Sequence, residues 1–195
     1  TCDLFIYVGG ESDKWVEDVL KEATNQDMIV IDLLDVLGDA VKEEEVVEGM
    51  EAEEEGEGEE EGPEYDEHVW LSLKNAKTFV AEIAKAIETI DPDHGDVYQA
   101  NEAAYQEKLS KLDEAYAKTV AQADQRVVLF GDRFPFRYLV DDYGLDYYAA
   151  FAGCSAETEA SFETIAFLAG KADELGLNTI LQIESADGKI ANTIK

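Results

Sequence analysis

Leu4-Phe5-Ile6-Tyr7-Val8-Gly9-Gly10, near the start of the 195-residue chain, is a run of β-forming residues halted by two glycines. Outward from it, Ser12 is placed to cap a helix, and Trp15, Val16, Val19, Leu20 and Ala23 follow at helical spacing. Asn25-Gln26-Asp27 closes that helix, and Met28 to Leu33 reads as a second strand. Strand, helix and strand in this order form a βαβ unit, which calls for a parallel sheet with covering helices.

The same grammar returns in the second half of the chain. Arg126 to Phe130 reads as a strand ended by Gly131, and Phe134 to Tyr143 as a short helix stopped by Gly144. Tyr147 to Phe151 is a strand. Ser161 to Leu175 is a helix with Gly176 just beyond it, and Thr179 to Ile183 is a further strand. Between the two sets, Asn75 to Ile90 reads as a helix closed by Asp91-Pro92. A longer helix then spans about Gly95 to Ala123, with Tyr98, Tyr105, Leu109, Leu112, Tyr116 and Val120 on one face. The expected fold is α/β: two parallel-sheet lobes, 1–93 and 125–195, linked by one long helix, 94–124. Ala186 to Lys195 reads as the opening of a helix that stops, so the chain is expected to be cut at that end.

Charge limits the partners. The net charge is −31, which repels phosphate backbones and anionic lipid and attracts cations. Much of it lies in the acidic loop 43–64, nearly all Glu and Gly, where Met50 and Ala52 look like stray apolar residues. With no face to bury and like charges in repulsion, the whole loop is expected to be solvated. No apolar run is long enough to span a bilayer, and Thr1-Cys2-Asp3 shows neither a basic leader nor a cleavage site. Cys2 and Cys154 either pair or stay as separate thiols. A Gly-x-Ser-x-Gly elbow and a P-loop are both missing, and two histidines leave few catalytic arrangements.

In open α/β sheets ligands bind beyond the carboxyl ends of strands. His68, after the acidic loop, offers an imidazole whose second nitrogen a flanking carboxylate could orient; the plainer reading packs it against Trp70. Asp132 and Arg133 follow the strand ending at Phe130, and Glu184 follows the strand ending at Ile183. Glu184 faces a cleft or else favours the dipole of the next helix. His94, in Asp91-Pro92-Asp93-His94, is read as part of a solvated loop before the long helix.

Taken in order, these segments resemble the metal-binding solute-binding proteins of ABC importers, the zinc and manganese group. Asp3 to Gly10 with Trp15-Val16 is similar to the family's strand and helix in its first lobe, and Asp66-Glu67-His68-Val69-Trp70 to its Asp-Pro-His-Val-Trp motif. Pro92, Tyr98, Asn101, Tyr105, Leu109 and Asp113 follow the spacing of its linking helix. Tyr143-Gly144-Leu145 and Ile183-Glu184 match the segments of its last two ligands. The resemblance implies that His68 and Glu184 ligate a metal, Zn2+ first and Mn2+ second, as transported cargo. It also places the family's third ligand at Arg133, whose guanidinium cannot donate to a cation; Asp132 is the expected substitute. The family's first histidine falls ahead of Thr1, so the first lobe is expected to be incomplete. Further implications are an extracytoplasmic protein, lipid-anchored in its intact form, monomeric, without enzyme activity, and docking to a membrane permease.

Two other readings use the same residues differently. One is an acidic α/β hydrolase-like enzyme with Asp132 and Glu184 as acid and base. The other is a Ca2+-binding acidic surface protein in which loop 43–64 is the working part.

Overall fold

The structure, a computed structural model, describes residues 2–51, 65–153, 159–184 and 186–194. Contacts divide the described residues into two units: those within Thr1–Lys42 and Val69–Lys118, and those within Glu43–His68 and Thr119–Lys195. This differs from the boundaries read from sequence. Residues 43–51 and 65–68 group with the second half of the chain, and most of the long helix groups with the first.

In the first unit β1 (Leu4–Tyr7) is followed by a 3-10 turn, Glu11–Asp13, and helix α1 (Val16–Lys21), then β2 (Ile29–Asp32). The strands pair in parallel, from Leu4 opposite Ile29 to Tyr7 opposite Asp32. Ser12 lies inside the 3-10 turn rather than capping a helix; Asp13 binds the loop instead, accepting from Val8 N at 2.9 Å and Gly9 N at 3.1 Å. With only six residues, α1 buries Val16 and leaves Trp15 and Val19 largely exposed.

Asp32 caps the next helix, α2 (Leu33–Leu37), accepting from Leu34 N and Asp35 N. Ser72 caps α3 (Leu73–Ile90) through Asn75 N. The turn into α4 (Gly95–Gln122) is clasped at Asp91, which accepts from Tyr98 Oη at 2.7 Å and lies 2.8 Å from His94 Nδ1. Tyr98 first, and His94 after it, hold the Asp91 carboxyl below the usual range. His94 is thus a solvated turn residue. At a rise of about 1.5 Å per residue α4 is roughly 42 Å long. Its stripe buries Leu109 alone, while Tyr105, Leu112 and Tyr116 stay exposed; polar links, Lys77 to Asp113 at 3.1 Å and Gln106 to Lys77 O at 2.7 Å, hold it to α3.

The second unit contains β3 (Val127–Arg133), α5 (Arg137–Tyr143), β4 (Asp146–Phe151), α6 (Phe162–Leu175) and α7 (Lys189–Ile194). β3 and β4 are parallel, with a register shift between Phe130 and Arg133. Both faces of this sheet are covered, and alternation holds up to Ala150 before the irregularity places Phe151 with it. Phe130, Tyr147 and Ala149 join Phe134, Val140 and Met50 on one side; Leu129, Ala150 and Phe151 join Leu168, Ala172 and Ile194 on the other. Gly144 and Gly176 stop α5 and α6 in the left-handed conformation, as expected, and Ser161, read from sequence as the first helical residue, instead caps α6 through Thr164 N.

Three expectations change here. Gly131 does not end its strand. It lies within β3 because α7 passes so close that an added Cβ would meet Ala191 Cα at 2.7 Å. The expected strand 179–183 contracts to one bridge, Leu181 beside Phe130. The beginning of the acidic loop is not wholly solvated: Glu43, Glu45, Val46 and Glu48 are exposed, but Met50 enters the core, Val47 packs beside it, and Glu51 N donates to Ala150 O at 3.0 Å, extending the sheet beyond β4. Two apolar side chains three residues apart were enough to bury one side of this segment. The rest of the loop, 52–64, lies outside the described residues, as does Cys154; Cys2 is an exposed free thiol.

Candidate metal centre

The centre is built at the carboxyl ends of β3 and β4. Asp66, Glu67 and His68 enter as irregular chain before the 3-10 turn Val69–Leu71. The backbone here is held from below, since Tyr138 on α5 donates its hydroxyl to Asp66 O at 2.9 Å. Asp66 and Glu67 are both buried. Asp66 Oδ1 accepts from His68 N at 2.8 Å and lies 3.1 Å from His68 Nδ1. A carboxylate that already accepts a backbone N–H accepts from the ring too. A carboxylate can only accept, so Nδ1 is the donating nitrogen of this pair, the orientation that carboxylate partners give metal-binding imidazoles. The orienting carboxylate is Asp66. The His68 side chain is 16% exposed.

Asp132 is buried at the end of β3. Its Oδ1 accepts from Arg133 N at 2.8 Å and its Oδ2 from Ile183 N at 3.0 Å. Each oxygen is therefore committed once to backbone, and the second bond pins the residue before Glu184. Glu184 itself is exposed, in a turn beyond the Leu181 bridge. Arg133 is partly buried and paired with Phe151 in the sheet register. Among the described residues, no three of His, Cys, Asp and Glu are gathered closely enough to hold an ion ready-made. His68, Asp132 and Glu184 therefore share a unit, and contacts join Asp132 to the Glu184 segment, but the three do not form one cluster.

Two neighbours of His68 escaped the sequence reading. A Cβ added to Gly153, just past β4, would lie 3.1 Å from His68 Cε1, 3.2 Å from His68 Nδ1 and 3.3 Å from Glu44 Oε1. The available signal was the strand-end rule itself: the end of β4 is as good a ligand position as the end of β3. Glu44, one glutamate among many, carried no signal.

Two parallel sheets, a long helix and a carboxylate-oriented imidazole at strand ends define an α/β protein with a candidate cation site. The chain belongs to the family described as ZnuA, zinc-uptake complex component A, periplasmic, which it matches across residues 1–195. It is 33% identical over 197 residues to the zinc-binding lipoprotein AdcA of Streptococcus pneumoniae strain R6, and 29% over 199 residues to the zinc-binding protein AdcA of Streptococcus pyogenes serotype M1. These alignments cover 99% of the chain but only 37% and 38% of those relatives, so it spans well under half their length. The Zn(II)-bound ZnuA-like domain of S. pneumoniae AdcA is similar in structure, with a TM-score of 0.67 at 30% identity, covering 99% of this chain and 64% of that one.

Proposed function

We propose that this chain is the metal-receiving part of the extracytoplasmic binding component of a zinc importer of the ABC class, with Mn2+ as the second-choice ion. The supporting observation is the Asp66–His68 pair, in which a buried carboxylate orients the imidazole through Nδ1; this reading gives Nε2 to the ion. Membership of a zinc-uptake family supports the choice of metal. Glu184 supplies a second donor. Asp132 enters as the carboxylate that anchors the Glu184 segment through Ile183 N and as a candidate third donor. The cargo is bound and released unchanged, so no catalytic residue is required. The protein acts as a monomer that delivers its ion to a membrane permease. A lipid anchor like that of the pneumococcal lipoprotein belongs to the intact protein under the same reading. The net charge of −31 concentrates cations around the site and is screened by salt.

Calorimetric titration of the chain and its His68→Ala variant with Zn2+ and Mn2+ tests this. The variant should bind Zn2+ at least about tenfold more weakly. Equal affinities would remove His68 from the site and the metal-receiving reading with it.

A further inference from the structure

Tyr138 is 2% exposed, and a buried hydroxyl has to find an acceptor inside the protein. It donates to Asp66 O at 2.9 Å, across 72 residues of chain. The other end of the side chain is fixed by α5, whose approach is set by aromatic packing. The Phe130 and Phe136 ring centroids lie 5.1 Å apart, and Phe134 stacks on Tyr147 at 3.8 Å. Val140, on the same helix, is buried in that cluster. The hydroxyl therefore projects from a part of the unit with little freedom to move.

We propose that Tyr138 is a positioning residue for the metal-receiving imidazole: its hydroxyl fixes the Asp66 backbone and, through it, the ring of His68. The inference rests on the metal-receiving reading of His68 and deepens it by naming what holds that ring in place. Tyr138 holds Asp66 O; Asp66 Oδ1 accepts from His68 N at 2.8 Å; the same oxygen lies 3.1 Å from His68 Nδ1. The last two contacts close Asp66 to His68 into a turn that moves as one body. Such a body, in irregular chain between elements, keeps its place only through outside tethers, and the Tyr138 hydroxyl is attached to Asp66 itself.

The tether also has a useful origin. α5 follows β3 directly after Phe134, Pro135 and Phe136, and Asp132 lies at the end of β3. The hydroxyl thus ties the segment bearing the imidazole to the stretch of chain bearing the candidate carboxylate. Zn–N distances of about 2.0–2.1 Å leave little room for misplaced donors. A bond that fixes one donor against the frame of another raises affinity without touching the ion.

The test titrates the 195-residue chain with Zn2+ by calorimetry and compares the parent with Tyr138→Phe, Leu168→Ala and His68→Ala. Phenylalanine keeps the ring and removes the donor. Leu168 is buried against the other face of the sheet, so its truncation loosens the same unit without touching the tether. Tyr138→Phe should bind Zn2+ about three- to tenfold more weakly, and Leu168→Ala within about twofold of the parent. Nitrogen-15 NMR of the imidazoles in the zinc-free chain at about pH 8, where an ordinary histidine is neutral, gives a second readout. His68 should show the Nδ1-protonated form in the parent and a mixture of both tautomers in Tyr138→Phe, while His94 keeps its signals. A Tyr138→Phe variant that binds like the parent, or whose His68 ring signals do not move, overturns the proposal. Equal losses of affinity in Tyr138→Phe and Leu168→Ala overturn it too, because they reduce the tyrosine to a contributor to stability. In each of these cases a loss in His68→Ala leaves the metal-receiving reading intact. If His68→Ala binds like the parent, both fall together. If Tyr138→Phe fails to fold, Tyr138→Met, apolar and adaptable in shape, decides by the same criteria.

Discussion

The two parallel sheets begin from the same sequence pattern and end in different surroundings. Around β3 and β4 both faces are covered, and Leu129, Ala149, Ala150 and Phe151 are each 1% exposed or less. Around β1 and β2, Ile6 and Val30 remain 39% and 41% exposed, and Trp15 on the crossover helix 55%. An apolar strand pattern therefore reports the element, while burial depends on what covers it. The candidate metal centre stands on the covered sheet. There, close packing transmits small displacements, so a histidine and a glutamate can be held against one glycine.

Truncation should separate the two sheets most strongly. Phe151→Ala removes a side chain buried between β4 and α6 and should cost about 3–5 kcal/mol, whereas Ile6→Ala should cost about 1 kcal/mol, since the side chain keeps much of its contact with water when folded. Urea denaturation of each variant measures this, and equal losses would break the comparison.

A smaller effect tests the strap that extends the covered sheet. Glu51→Gln should cost about 0.5–1.5 kcal/mol at neutral pH, the usual worth of a charged helix cap. Burial pushes the Glu51 carboxyl up, but hydrogen bonds from Ser161 N and from the Ser161 and Thr164 hydroxyls outweigh it, so the group lies below its usual range. With the folded-state pKa lowered, its contribution is fully present above the ordinary glutamate pKa and disappears as pH falls through the folded value. Melting followed across the acid range should show the parent losing its advantage over Glu51→Gln there. A constant difference between the two would remove the carboxylate from the cap.

The smallest effect is expected on the uncovered side. Trp15→Ser should change stability by no more than about 0.5 kcal/mol in the same urea assay, because the ring is largely in water already. A loss of several kcal/mol would show that α1 is covered after all.

Much of the secondary structure was legible from local signals. The βαβ opening and the helix stops at Gly144 and Gly176 were all read from a few adjacent residues. The misreadings arose where a distant segment intervened. Gly131 looked like a terminator because the approach of Ala191 is invisible along the chain. Met50 looked stray because its partners, Phe130 and Tyr147, come from the other half of the sequence. The stripe on α4 had the right spacing, yet among its large apolar residues only Leu109 is buried, because periodicity marks a face without supplying a neighbour.

At the metal centre the division is similar. His68 stood out as an imidazole beside acids, and Glu184 and Asp132 stood out as carboxylates at strand ends; all of this is chemistry carried by residue type and position. Local sequence was enough for the α/β class, the glycine helix stops and the charge that favours cations, and it offered His68 as a candidate imidazole. Tertiary structure alone decided that Asp66 turns the ring, that Asp132 spends a bond on each oxygen holding backbone, and that Glu44 reaches the same glycine as His68. The reason is range: propensities, caps and turns act over a few residues of chain, whereas a site is made of contacts whose partners folding brings together from distant segments.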